Sequence, residues 1–111
     1  MIINYEDFQK VDLRSGTIVK VEDFTRAIKP SYKIWVDFGP YIGTKQTSAQ
    51  VVANYTKQSL LGQKVVGCVN LMPRNIAGFI SEFLLVGFAD QSNNVSLINY
   101  GGTVQNGQKL F

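Results

Sequence analysis

The sequence contains no histidine and only one cysteine, Cys68. These absences exclude an intramolecular disulfide, the usual zinc sites, and every nucleophilic pair of serine or cysteine with histidine. The eight acidic residues are scattered, and their adjacent pairs, Glu6-Asp7 and Glu22-Asp23, are typical of a helix first turn and a strand end. We therefore expect a protein that is not an enzyme and that uses no metal and no cofactor.

Long hydrophobic runs are also absent. No run approaches the roughly 18 apolar residues that span a bilayer, and residues 1–7 lack a basic region followed by an apolar one. We therefore expect no membrane insertion, no signal peptide and a cytoplasmic location. With 111 residues, 45% of them hydrophobic and 17% charged, the chain is expected to form a single domain over residues 1–111.

Acidic residues are scarce in the middle of the chain. Residues 24–81 contain seven lysines or arginines and one acid, Asp37, an excess of six positive charges, whereas the flanking segments are acidic overall. This asymmetry predicts a one-sided positive field that attracts an anion such as RNA. A solvated lysine surface without a ligand is the alternative interpretation.

The hydrophobic pattern predicts several short strands and two short helices. Asn4 is expected to cap a helix that ends near Lys10, and Thr56 a helix that ends near Gly62. Strands are expected over residues 12–24, 32–38, 45–52, 65–71, 83–89 and 95–99, with the fourth and fifth of them buried on two faces. Gly16 is expected to allow a bulge or bend in the long first strand.

Alternation in residues 32–38 places Tyr32, Ile34, Val36 and Phe38 inward, and therefore Trp35 outward beside Lys33. An outward tryptophan could stack on a base. It could equally pack under a helix or against a second subunit.

Together, these short strands with one helix between the third and fourth describe an all-β fold, the five-stranded Greek-key OB barrel, with a short N-terminal helix and added C-terminal strands.

The connector 70–82 joins the two strands that are expected to be buried, so it should lie at the rim of the core. It carries four large apolar residues beside one cation, which is unusual for a segment on the surface: Met72, Ile76, Phe79 and Ile80 beside Arg74. These side chains either plug the end of the barrel or form a contact surface. For Phe79 we favour the contact role, with Gly78 turning it outward and Ile76 and Ile80 filling the core.

The segment from Pro73 to Glu82, followed by Leu84-Leu85-Val86, resembles the signature of the tRNA-binding domain that some aminoacyl-tRNA synthetases and related cofactors carry. Residues 12–18 resemble the first strand of that family, and residues 56–62 and 64–66 its internal helix and fourth strand. The resemblance spans nearly the whole chain. Within the family, residues 29–33 and 43–51 and the free-standing length are most similar to bacterial and archaeal export-related chaperones.

The resemblance implies an OB barrel that binds tRNA through its shape and backbone rather than through its base sequence. The candidate RNA-contacting residues are Arg26 and Lys29 on the first loop, Lys33 and Lys45 on the sheet, Arg74 and Asn75 in the connector, and Ser81, which matches the family motif. The sequence departs from that motif at Phe83 and Leu84, where relatives usually have a small residue and methionine.

The similarity to chaperones implies passive binding of unfolded polypeptides or preproteins, because no nucleotide motif is present to drive their release. The candidate groove for a polypeptide consists of Met72, Arg74, Ile76, Phe79 and Ile80, in which methionine can adapt to varied partners. A trans-acting partner of an aminoacyl-tRNA synthetase is a third interpretation. A synthetase or a protein-export component is therefore a candidate partner.

A homodimer is expected, because the N-terminal helix and the apolar C-terminal segment exceed what one small barrel can bury. The C-terminal residues expected to provide apolar contacts are Tyr100, Val104, Leu110 and Phe111. In the family that the chain resembles, such added elements support dimerisation.

Overall fold

The computed structural model describes all residues, 1–111, and contains nine short strands and three short helices. In chain order they are α1 (Tyr5–Gln9), β1 (Leu13–Asp23), β2 (Tyr32–Asp37), α2 (Gly39–Ile42), β3 (Thr44–Ala49), α3 (Lys57–Leu60), β4 (Lys64–Cys68), β5 (Arg74–Ile76), β6 (Phe79–Ser81), β7 (Leu84–Leu85), β8 (Gly87–Ala89) and β9 (Val95–Leu97). Five strands form an antiparallel sheet in the order β3-β2-β1-β4-β7 that closes into a nearly complete barrel. The predicted OB-type fold is confirmed.

The two predicted helices form at their predicted caps. The Asn4 side chain accepts a hydrogen bond of 3.0 Å from the Asp7 N–H, and Thr56 with Ser59 forms a capping box at α3. The additional helix α2 lies where a turn was expected, with Pro40 in its first turn, where its missing N–H costs nothing. No helix has more than five residues, so none is long enough to cross a lipid bilayer.

The barrel encloses one hydrophobic core. It consists of Ile18, Tyr32, Ile34, Val36, Phe38, Val51, Leu60, Val65, Phe83, Leu85 and Leu97. The predicted inward face of β2 is therefore confirmed. The Phe38 and Phe83 rings meet edge to face at 4.9 Å between centroids, and a Cβ atom at Gly67 would lie 2.7 Å from Phe38.

Gly16 has a different role from the predicted one. The irregularity in β1 lies between Ile18 and Lys20, beyond Gly16. A Cβ atom at Gly16 would lie 2.5 Å from Val36 Cγ1, so the missing side chain allows β1 to pack closely against the core. Gly16 is thus required by packing rather than by a bulge.

The strands on either side of the connector are shorter than predicted. Residues 65–68 of β4 are all buried, but the strand ends at Cys68. Residues 83–89 do not form one strand buried on two faces, because the segment divides at Val86 into β7 and β8. β7 remains paired with β4, whereas β8 leaves the barrel to pair with β9, and Phe88 is 71% exposed.

The connector forms a β-hairpin, with Ile76 opposite Phe79. Its two-residue loop has positive φ at both positions, +50° at Ala77 and +87° at Gly78, as a type I′ turn requires. The Asn75 Oδ1 accepts a hydrogen bond of 2.9 Å from the Gly78 N–H and so holds this turn. The segment is therefore a regular hairpin, which the sequence pattern did not predict. We call residues 74–81 the hairpin.

Pairing in the hairpin assigns its side chains to two faces. Because directly opposed residues of a strand pair share a face, Arg74, Ile76, Phe79 and Ser81 lie on one side and Asn75 and Ile80 on the other. Neither isoleucine belongs to the barrel core. The expectation that Ile76 and Ile80 fill the core was wrong, because the hairpin lies outside the barrel.

Hydrogen bonds close the barrel between β3 and residues 81–83. Thr47, 2% exposed, donates from its hydroxyl to the Phe83 carbonyl at 2.7 Å and lies 2.8 Å from the Ser81 Oγ. The Glu82 N–H donates to the Gln46 carbonyl at 2.8 Å, and the Gln46 N–H donates to the Glu82 Oε1 at 3.0 Å. These contacts fix the base of the hairpin on β3.

The C-terminal segment lies along β1 as an added strand-like element. The Leu110 N–H donates to the Leu13 carbonyl at 2.8 Å, and the Ser15 N–H donates to the Gln108 carbonyl at 3.0 Å. The Tyr100 hydroxyl donates to the Gly16 carbonyl at 3.2 Å. This segment therefore covers the part of the β1 edge that β2 leaves free.

Replacing Thr47 by valine is expected to lower the free energy of unfolding by about 1 to 3 kcal/mol, because the buried Phe83 carbonyl loses its closer donor and keeps only the Ser81 hydroxyl at 3.4 Å. Thr47→Ser keeps the hydroxyl and removes one methyl group, so it should cost only about 1 kcal/mol. Urea unfolding of the parent and both variants measures the difference. Equal losses in the two variants would contradict the role assigned to the hydroxyl.

Candidate nucleic-acid interface

An aromatic cluster with two lysines lies on the outer side of β1 and β2. Phe79 of the hairpin packs edge to face against Trp35, with 5.9 Å between ring centroids, and against Phe24 at 5.5 Å. Lys33 Nζ lies 5.1 Å from the centroids of both Phe24 and Phe79, and Lys20 Nζ lies 4.6 Å from that of Trp35. We call these five residues the aromatic–lysine face.

The irregularity in β1 places Lys20 on this face. Ile18 pairs with Val36, but the next pair joins Lys20 to Trp35, so Val19 is passed over. Because neighbouring residues of a strand point to opposite faces, uninterrupted pairing would have placed Val19 opposite Trp35 and turned Lys20 inward. The extra residue thus brings Lys20 to the outer face together with Glu22, whose Oε2 lies 3.2 Å from the Lys20 Nζ.

Trp35 is outward, as predicted. The group that covers it is Phe79 rather than a helix. Phe79 is half-buried and lies outside the core, so it does not plug the barrel. It instead packs the hairpin onto the outer face of the sheet.

A cleft of about 730 Å³ lies between the loop that joins β1 to β2, the end of β3 and the hairpin. Lys29 enters its lining from the loop and Arg74 from the hairpin, together with the apolar residues Ile28 and Ile76. No acidic residue lines it. We call it the hairpin cleft.

The structure brings four of the five predicted RNA-binding cations to this side of the molecule. Arg26 and Lys29 lie on the first loop, Lys33 on the aromatic–lysine face and Arg74 beside the cleft, and none of the four forms an ion pair within the chain. Lys45 stands apart. It lies opposite the inward-facing Val36, on the other side of the sheet from Lys33.

Asn75 and Ser81 have internal partners. Asn75 holds the hairpin turn through Gly78, and Ser81 contacts Thr47 where the barrel closes. RNA contacts by these two residues stay a prediction. Their hydrogen bonds position the hairpin that carries Arg74.

The residues predicted to form a polypeptide groove do not share one face. Ile76 and Phe79 face the barrel with Arg74, whereas Ile80, 42% exposed, lies on the opposite side of the hairpin. Met72 precedes the hairpin and is 86% exposed. The expected single groove is therefore not formed, because alternation along a regular hairpin separates its members.

Three groups outside this surface have shifted pKa values. A hydrogen bond to Asp23 and the charge of that carboxylate raise the pKa of Lys57, and a hydrogen bond from Asn54 lowers the pKa of Asp90. Burial raises the pKa of the Tyr100 hydroxyl. No three acidic or cysteine side chains lie close enough together to hold a metal ion. The cations without ion pairs and the cleft without acidic residues make this surface suited to binding an anion.

Replacing Phe79 by alanine is expected to lower the free energy of unfolding by about 1 to 3 kcal/mol, between the values for a core and a surface position. It should also expose Trp35, the only tryptophan, and so shift its fluorescence to the red. Ile80→Ala on the opposite face is the matched control and should change stability by at most about 0.5 kcal/mol. Unchanged emission in a folded Phe79→Ala variant would contradict the observed packing.

Comparison with solved structures gives close matches over the full chain. The chain is 43% identical to the CsaA chaperone protein from Picrophilus torridus, with a TM-score of 0.91 and coverage of 99% of this chain and 100% of that one. It is 38% identical to the chaperone CsaA from Bacillus anthracis str. Ames, with a TM-score of 0.92 and full coverage of both chains. These similarities confirm the fold and the resemblance seen in the sequence.

The chain is also similar to part of methionine–tRNA ligases. It is 31% identical over 108 residues to the enzyme of Methanocaldococcus jannaschii. The aligned region covers 97% of this chain and 16% of that enzyme. The chain thus spans about a sixth of the length of the curated relatives it matches. Residues 13–109 match the family described as "Putative tRNA binding domain". With this match over most of an OB-type barrel, the chain belongs to the tRNA-binding domain family.

Proposed function

We propose that this protein binds tRNA through the surface that combines the aromatic–lysine face with the hairpin cleft. The observation that carries the proposal is the gathering of four cations without ion pairs, Arg26, Lys29, Lys33 and Arg74, around an outward aromatic cluster. The loop after the first strand and the connector after the fourth flank this surface, as they flank ligand sites in OB folds. Membership of the family supports the same ligand.

The cations would contact phosphate oxygens and release the counterions that surround RNA. Such contacts position the nucleic acid without reading its sequence. The cleft favours this binding most, because no carboxylate lines it to repel a phosphate. On the aromatic–lysine face, Glu22 lies opposite Lys33 and 3.2 Å from the Lys20 Nζ. Recognition of tRNA would then depend mainly on the shape of its folded backbone.

Replacing Arg26, Lys29 and Arg74 together by alanine is expected to weaken tRNA binding and to reduce the slope of log affinity against log salt. The slope should fall by about 2 to 3, since each phosphate contact contributes about 0.7 to 0.9. Filter binding or fluorescence anisotropy over a series of salt concentrations measures both effects.

A matched control removes the same charge elsewhere. Lys10, Lys64 and Lys109 lie after α1, on β4 and in the C-terminal segment, away from the proposed surface. Replacing these three by alanine should leave most of the salt slope intact. Equal slopes for the two triple variants would assign binding to net charge and contradict the proposed location.

Binding of unfolded or export-bound polypeptides is a second candidate function. The full-length similarity to two CsaA chaperones supports it, as does the exposure of the apolar side chains of Met72 and Ile80. Binding would be passive, through apolar contacts to which methionine adapts.

Met72→Ser combined with Ile80→Ser should weaken capture of an unfolded polypeptide and leave tRNA affinity unchanged. Unchanged capture by this folded double variant would exclude these two residues as the polypeptide site.

A trans-acting role beside a synthetase is the alternative that the similarity to methionine–tRNA ligases supports. We propose that the protein acts in the cytoplasm, where tRNA, synthetases and preproteins are all available. Copurification from fractionated cells distinguishes these cases by recovering a synthetase, an export component or neither. Recovery in a membrane or secreted fraction alone would contradict a cytoplasmic role.

We also propose that the protein is a homodimer. Phe111 is 99% exposed and Val104 and Leu110 each more than a third exposed, and Ile2 and Tyr5 at the N-terminus are largely uncovered. A closed twofold assembly is the commonest way to bury such apolar groups. Light scattering at micromolar concentration should give twice the monomer mass. A monomer mass that does not change with concentration would contradict the dimer.

A further inference from the structure

We propose that the hairpin cleft holds a single unpaired nucleotide of a bound RNA. Lys29 and Arg74 would contact its phosphate, and Ile28 and Ile76 its base. The proposal rests on tRNA binding as the function of the surface. It adds a site for one extruded nucleotide to a surface that otherwise contacts only the RNA backbone.

The size of the cleft fits such a ligand. Its volume of about 730 Å³ lies within the range of roughly 300 to 1,000 Å³ that is usual for small-molecule sites. The first loop and the hairpin form its walls, so a base pair within a helix could not enter. A nucleotide in a loop or at a strand end could, because unstacked bases can be turned outward.

The chemistry of the lining also favours a nucleotide. Most of the lining residues are apolar, the two charged ones are Lys29 and Arg74, and acids are absent. Neither cation is neutralised by an ion pair within the chain. The cleft therefore combines a positive rim with apolar walls, which complements a phosphate attached to a flat, weakly hydrated base.

A backbone donor faces the cleft. Both the N–H and the carbonyl of Gln46 bond to Glu82, on the side of β3 that faces away from β2. Backbone groups two residues along an antiparallel strand point the same way, so the Ser48 N–H also faces away from β2. Ser48 lines the cleft with Leu84. Its N–H can donate to an oxygen of the base or the phosphate.

These features suit a nucleotide better than an extended acidic peptide. Capture of a peptide by strand addition depends on a row of main-chain hydrogen bonds along a sheet edge. The free edge of β3 is short here, because Gln46 is already bonded to Glu82 and the strand ends at Ala49. One anion site, one apolar slot and one N–H donor match the needs of a single nucleotide.

Two neutral variants of the same hairpin test the proposal. Ile76→Ser alters the wall of the cleft, whereas Ile80→Ser makes the same change on the opposite face. The affinity of each variant is measured for a fully paired, blunt-ended RNA duplex and for the same duplex with one extruded base. We expect Ile76→Ser to weaken binding of the RNA with the extruded base by about fivefold, a modest fraction of base-stacking energies. Its affinity for the paired RNA and its salt slope should equal those of Ile80→Ser.

A second measurement does not depend on tRNA. In NMR titrations of the parent protein with uridine or adenosine monophosphate, the amide signals of Ser48 and Ile76 should shift, and the nucleosides without phosphate should shift them less. Lys29→Gln, a change at an exposed loop position, should reduce the response to the monophosphates. The response of a folded Lys29→Gln variant thus tests the phosphate contact even if Ile76→Ser unfolds.

The outcomes separate the two proposals. If the parent binds neither these RNAs nor tRNA, the proposed function fails. If it binds tRNA but neither of the two RNAs, only the proposal for the cleft is overturned. If it binds both with the expected salt dependence, but Ile76→Ser and Ile80→Ser behave alike, only the proposal for the cleft is overturned. Absence of shifts at Ser48 with millimolar nucleotide, or stronger shifts there with an oligoglutamate peptide, would also overturn it.

Discussion

The hydroxyl of Thr47 is the contact on which the outer architecture depends. It joins β3 to the carbonyl of Phe83 and to the hydroxyl of Ser81, at the place where the barrel has no regular strand ladder. Together with the two hydrogen bonds between Gln46 and Glu82, it closes strand edges that would otherwise remain open at this seam. Because Ser81 is the last residue of the hairpin and pairs with Arg74, the first, the same contact holds the base of the hairpin on β3. The position of Phe79 over Trp35 follows from it.

A second constraint, the extra residue in β1, determines the chemistry of the outer face. Shifting a strand by one residue exchanges the side chains on its two faces. Because Val19 has no partner in β2, all residues of β1 after it are shifted in this way. Lys20 then lies over Trp35, while Val21 packs against the core. One irregular position thus supplies a charged group to the face without breaking the core. Val19, 49% exposed, is the apolar group left outside.

Local features were predictable from the sequence, and long-range ones were not. The caps at Asn4 and Thr56 are side-chain contacts within three residues, and the inward face of β2 follows from simple alternation. The hairpin was missed because its turn is Ala77-Gly78, and alanine at positive φ is disfavoured by about 1 to 2 kcal/mol. Contacts with Trp35 and Thr47 stabilise that turn from residues far along the chain. The placement of Lys45 away from Lys33 depends on register, which composition does not encode.

The two faces of the hairpin bear on how two ligands could share so small a protein. Arg74 and Ile76 face the barrel and line the cleft, whereas Ile80 faces away, with Met72 exposed just before the hairpin. An RNA in the cleft and a polypeptide against Met72 and Ile80 would therefore contact opposite sides of one short strand pair. Charge alone would couple them, since a phosphate at Arg74 lowers the positive potential on both sides. Binding of the two ligands would then be modulated by salt rather than mutually exclusive through steric overlap.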